Sequence, residues 1–100
     1  MRTIWKYTIP VDGNSHEMLM PVSAKYLTCG VQGKNFVFWM LVEGTEVTTS
    51  DDKRTYRVFM TGEEIPSNFN KYLGTAHVKV DNPISPNIVM HLFEEDPYEP

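Results

Sequence analysis

Seven consecutive apolar residues, Phe36-Val37-Phe38-Trp39-Met40-Leu41-Val42, constrain this chain more than any other stretch. Aromatic and β-branched residues dominate the run, and Gly33-Lys34-Asn35 before it and Glu43-Gly44 after it are turn-forming, so it reads as one strand. An antiparallel strand with one wet face alternates apolar with polar residues. This one does not alternate, so both of its faces are expected to be covered. Either it lies at the centre of a closed barrel or sandwich, with the N-terminal strand and the Glu63–Lys71 loop over its second face, or that face packs on another subunit. A chain with no helix to lay over the sheet favours the second arrangement, a homo-oligomer. As a helix the run is far too short to cross a membrane.

The remaining periodicity is also that of strands. Trp5, Tyr7 and Ile9 alternate with Ile4, Lys6 and Thr8, until Pro10 and the turn residues Asp12-Gly13-Asn14 stop the pattern. Glu17–Met20 is a short second strand, ended by Pro21. Lys25–Gln32 sets Leu27, Cys29 and Val31 against Tyr26, Thr28 and Gln32, and Gly33-Lys34-Asn35 joins it to Phe36–Val42 as a hairpin. After a polar loop over Glu43–Arg54, the strand Thr55–Met60 places Tyr56, Val58 and Met60 opposite Arg57 and Phe59. Tyr72–Val80 and Ile88–Phe93 complete the set, and Ser67–Lys71 makes at most one helical turn. The fold class is all-β: a small antiparallel sandwich or barrel of about seven short strands.

One hundred residues make one domain. Its charge is unevenly placed. Residues 1–93 hold nine basic and nine acidic side chains, whereas the segment Glu94-Glu95-Asp96-Pro97-Tyr98-Glu99-Pro100 carries the whole net charge of −4. The expectation is therefore a β domain over 1–93 and a solvated, flexible acidic tail over 94–100. A neutral body with an acidic end has no electrostatic case for binding nucleic acid or an anionic membrane. The lone Cys29 can form neither an intramolecular disulfide nor a multi-cysteine zinc site. It fits a reducing compartment. Arg2 and Trp5-Lys6-Tyr7 stand where a secretory leader would need an apolar core, which points to the cytoplasm.

Enzymatic chemistry is poorly served. His16, His77 and His91 lie on different strands without metal-ligand spacing, and Cys29 falls among inward-facing apolar residues. Glu63-Glu64 lies in a turn, where adjacent carboxylates diverge, and the scattered glycines form no phosphate-binding fingerprint. No enzyme, no metal and no cofactor are expected. The residues suited to a ligand are Arg54, Tyr56 and Arg57, with Lys53 just before them, Trp39 as a stacking face and Thr61-Gly62 at the same strand's end. A guanidinium fork matches a phosphate, an aromatic face stacks a base, and a glycine lets backbone N–H groups approach an anion. Trp5, Tyr7, Tyr26 and Tyr72 offer further aromatic faces. Alternation puts Arg57 opposite Tyr56 and Arg54 on Tyr56's own side, so one shared site requires a bulge or a neighbouring subunit.

Several segments together carry a family likeness: Ile4-Trp5-Lys6-Tyr7, Met20-Pro21, Ala24-Lys25-Tyr26-Leu27, Phe38-Trp39-Met40-Leu41-Val42 and Arg54-Thr55-Tyr56-Arg57-Val58. Thr61-Gly62 with Ile65-Pro66, Tyr72-Leu73-Gly74-Thr75 and the closing Val89-Met90-His91-Leu92-Phe93-Glu94 continue it. In this order the chain resembles a group of short proteins, mostly of bacteriophage and prophage origin, without an established activity. The stretches Asp81–Asn87 and everything after Glu94 depart from the pattern. The resemblance implies a viral accessory protein in the host cytoplasm and transfers no catalytic residue. By analogy with sequestering proteins of similar size, the leading expectation is an anti-defence binder. It would hold a nucleotide immune signal, of cyclic oligonucleotide or ADP-ribose type, through Arg54, Tyr56, Arg57, Trp39 and Thr61. The alternatives are a protein–protein inhibitor or adaptor of a host factor, and a virion structural component.

Overall fold

The structure is a computed structural model and describes residues 1–44, 51–79 and 87–96. Within them the chain runs β1 (Arg2–Ile9), β2 (His16–Pro21), β3 (Lys25–Gln32), β4 (Asn35–Glu43), β5 (Asp51–Met60), β6 (Lys71–Lys79) and β7 (Asn87–Glu94). The strands form two antiparallel sheets, one ordered β1-β4-β3 and the other β2-β5-β7-β6. The architecture is a small all-β sandwich. Among the described residues no helix is long and apolar enough to cross a membrane.

Local chemistry explains the turns. Gln32 pairs with Asn35 across the two-residue connection Gly33-Lys34, and Gly33 takes a φ of 62°. A positive φ at the first turn position alone is the type II′ pattern, which matches the twist of the flanking strands. β5 ends in a second turn, closed by the Glu63 N–H donating to the Met60 carbonyl at 3.1 Å, with Gly62 at a φ of 97°.

The core lies between the sheets. The three-stranded sheet contributes Ile9, Phe36, Phe38, Met40 and Val42, and the four-stranded sheet contributes Met20, Tyr56, Val58, Met90 and Leu92. Phe38 links the layers: its ring lies 5.5 Å from Tyr7 and 4.9 Å from Tyr56 across the sandwich. Beside this core, Gly74 of β6 brings β3 and β6 together, because a Cβ there would overlap the Tyr26 hydroxyl and stand 2.9 Å from Cys29 Sγ.

Several local expectations change. The expected loop over Glu43–Arg54 is shorter, since β5 begins at Asp51 and continues the pairing with β2 as far as Pro21. Simple alternation along β3 fails at a bulge: the register shifts between Tyr26 and Thr28, leaving Leu27 as the extra residue. Tyr26 therefore joins Cys29 and Val31 against the core, and Leu27 is 44% exposed. The Glu63–Lys71 loop does not cover β4. It lies over the other sheet, where Phe69 meets the outward-facing Phe59 edge-on at 5.6 Å. The acidic end begins inside the fold. Glu94 closes β7, the Glu95 N–H donates to the Thr55 carbonyl at 2.8 Å, and the Asp96 N–H donates to the Asn68 carbonyl at 2.8 Å. Residues 97–100 of the expected tail lie outside the described residues.

Candidate functional site

The five residues singled out from the sequence fall in three places. Arg54 and Tyr56 face the interior from β5. Tyr56 is fully buried and its hydroxyl donates to Met20 Sδ at 3.4 Å, so its ring has no open face for a base. Burial holds its phenol well above the usual range. Arg54 is a clamp: Nη1 donates to the Ala24 carbonyl at 2.8 Å, Nη2 to the Val22 carbonyl at 3.0 Å, and Nε to Asp52 at 3.3 Å. Its fork ties the turn between β2 and β3 to β5.

Arg57 and Thr61 lie on the outer face of the four-stranded sheet. The Arg57 guanidinium sits 4.4 Å from the centre of the Phe59 ring. The anion expected near these residues is the chain's own. Glu63 Oε1 accepts the Met60 N–H at 2.8 Å, and Oε2 takes Arg57 Nη2 at 3.5 Å. The backbone N–H that this carboxylate takes is that of Met60, at the end of β5. Thr61 Oγ1 turns instead to His91 Nε2 at 2.8 Å.

That last contact belongs to a cluster that spacing along the chain does not reveal. His91 stands opposite Thr75 in the β6–β7 register, and its Nδ1 is 2.9 Å from Thr75 Oγ1, which lies 2.6 Å from the Tyr72 hydroxyl. The chain of hydroxyls engages both imidazole nitrogens, and either tautomer satisfies it. Only the register brings its members together.

A polar cleft of about 610 Å³ opens beside Arg54, lined by Ala24, Asp52, Lys53, Thr55, Lys71 and residues 94–96. Four carboxylates and three cations line it, so it does not attract phosphate. Burial raises the Glu94 carboxyl above its usual range, even with Lys71 Nζ at 3.8 Å. Among the described residues no three His, Cys, Asp or Glu side chains converge to hold a metal.

Trp39 occupies the third place, the outer face of the three-stranded sheet. There β4 presents Val37, Trp39 and Leu41, flanked by Thr8, Lys6 and Ile4 of β1 and by Gly30, Thr28 and Lys25 of β3. Val37 is only 1% exposed although it faces outward. Trp39 leans over Gly30, where a Cβ would stand 3.6 Å from Cζ3, and Lys6 reaches across to Gln32 at 2.9 Å. Beyond this shelter the face is open among the described residues: Ile4 is 59% and Leu27 44% exposed, with Trp39 and Leu41 half-buried. On the four-stranded sheet, Phe69 of the 61–70 segment packs on the outer Phe59, which is fully buried, while Leu19 and Tyr72 on the same face stay exposed.

A family model described as "Domain of unknown function (DUF7352)" matches residues 1–100. No curated protein and no solved structure matches the chain.

Proposed function

The chain therefore belongs to this family of unknown function, and on that premise we propose that it is a non-catalytic binding module, a protein–protein adaptor or inhibitor. Its working surface is the open face of β1-β4-β3. One observation carries the reading: exposed or half-buried apolar side chains from all three strands gather on that face around Trp39 and Leu41, whereas on the opposite outer face the 61–70 segment buries Phe59 and leaves Leu19 and Tyr72 exposed on separate strands. A photo-crosslinking residue placed at Ile4 or Leu27, in cells producing the protein, should yield a discrete crosslinked product. The same residue at Leu19 or Val22, which are 61% and 56% exposed elsewhere, should not. Equal products from all four positions, or none from Ile4 and Leu27, would overturn it.

Trp39 favours a second reading, in which a phage-derived accessory protein sequesters a nucleotide signal in the host cytoplasm. The indole is half-buried beside Lys6, its partner on β1, so a base can stack on it while a phosphate reaches that ammonium group. In Trp5→Phe protein, Trp39 is the sole indole. Saturable quenching of its fluorescence by a cyclic dinucleotide supports this reading, and unchanged fluorescence at millimolar ligand rejects it.

A further inference from the structure

The open face carries charge as well as apolar surface. Register places Arg2, Lys6 and Lys25 beside Ile4, Trp39 and Leu41, with Glu43 as the one carboxylate among them. Three cations and one carboxylate leave this face with two positive charges, on a chain whose net charge is −4. Glu43 is shared with Arg2 at 4.0 Å, and among the described residues Lys25 has no carboxylate partner. The cations are thus gathered around the apolar side chains left open.

We infer that this face docks an acidic, apolar-containing segment of a partner protein, its apolar side chains on Trp39, Leu41 and Ile4 and its carboxylates at Lys6 and Lys25. The inference rests on the binding-module reading and adds the chemistry of the partner. Covering the apolar strip brings the partner against the ammonium groups, and a surface without carboxylates would desolvate them uncompensated. A second copy docked face to face by two-fold symmetry sets a positive surface against itself. A nucleic-acid backbone needs a denser basic stripe than three cations on an acidic protein. An acidic protein segment satisfies both the apolar strip and its charged rim.

The test is an amide NMR titration of the full chain with three 12-residue peptides. Each alternates Leu/Ile with a polar residue: Asp/Glu in the first, Asn/Gln in the second, Lys in the third. The acidic peptide should perturb signals across 2–6, 25–30 and 37–43, and raised salt should weaken it. The double reversal Lys6→Glu/Lys25→Glu changes two exposed side chains and turns the face from two positive charges to two negative. It should weaken the acidic peptide at least tenfold and admit the Lys peptide, while Lys34→Glu, exposed at the hairpin turn, leaves both unchanged. Equal binding of the Asn/Gln peptide at the same signals would overturn the acidic partner but leave the binding face standing. Self-association that excludes the peptide would overturn the inference in the same way, whereas preference for a cyclic dinucleotide there would overturn both it and the adaptor reading. Silence on this face with every probe would remove both.

Discussion

Replacing Gly74 by alanine tests how the two sheets meet. Gly74 faces the interior opposite Leu92, beside the bulge that makes Leu73 the extra residue of β6. A Cβ there overlaps the Tyr26 hydroxyl, lies 2.9 Å from Cys29 Sγ and 3.4 Å from Tyr26 Cζ. Relief requires β3 and β6 to separate or the tyrosine ring to turn out of the core. Overpacking of this kind costs about 1–3 kcal/mol. At about 4–8 °C of melting midpoint per kcal/mol for a domain this size, calorimetry or circular dichroism resolves it readily. Gly30→Ala is the control, because its Cβ would meet Trp39 at 3.6 Å, an ordinary contact, so its midpoint should stay near the parent's. Tyr26→Phe deletes the overlapping atom, so the double variant Gly74→Ala/Tyr26→Phe should recover part of the loss, with a coupling of about 0.5–3 kcal/mol. A Gly74→Ala midpoint within about 2 °C of the parent would refute the close approach of β3 and β6. Failure of Tyr26→Phe to restore any of the loss would refute the tyrosine's part in it.

Arg54→Met keeps the aliphatic stem but leaves the Val22 and Ala24 carbonyls without their donor, and should cost about 1.5–3 kcal/mol in urea unfolding, with faster amide exchange at Ala24. Phe69→Ala uncovers Phe59 and should cost about 3–5 kcal/mol in the same assay, because Phe69 is only 5% exposed. The Glu94 carboxyl is raised by burial, so the folded protein binds its proton more readily than the unfolded chain, for which the ordinary value is 4.5. Its contribution is therefore most favourable below pH 4.5 and falls as pH rises through the raised folded value. Glu94→Gln should flatten that slope in urea unfolding measured from pH 4 to 7 and raise stability at pH 7, and a steeper slope would contradict the sign. Asp12 has the opposite sign: hydrogen bonds from His16 and then the Asn14 N–H lower its carboxyl below 3.8, so its support is present above that value and lost on further acidification.

The sequence by itself determined the strand set, because strand periodicity and turn chemistry are local. Alternation marks β1 and β5, Gly33-Lys34 specifies the β3–β4 hairpin, and Pro21 coincides with the end of β2. The unbroken apolar run of β4 leads to the expectation that both of its faces are covered; in the sandwich the inner face is buried, while Trp39 and Leu41 on the outer face stay half-buried. Which residues share a face was decided only by tertiary structure. A strand has a side-chain period of two, so each extra residue reverses every later assignment, and the bulges at Leu27 and Leu73 do this without a glycine or proline at the bulged position. The same holds for the candidate ligand residues. Arg54 and Arg57 looked available because a linear chain does not display their partners. Those partners are backbone carbonyls 30 and 32 residues away for Arg54, and a turn carboxylate six residues on for Arg57. Which outer face the 61–70 segment packs on is equally non-local: Phe69 lies against Phe59, and among the described residues no such segment lies over Trp39. Local propensity decides which segments become strands; closure of the sandwich decides which side chains are already spoken for.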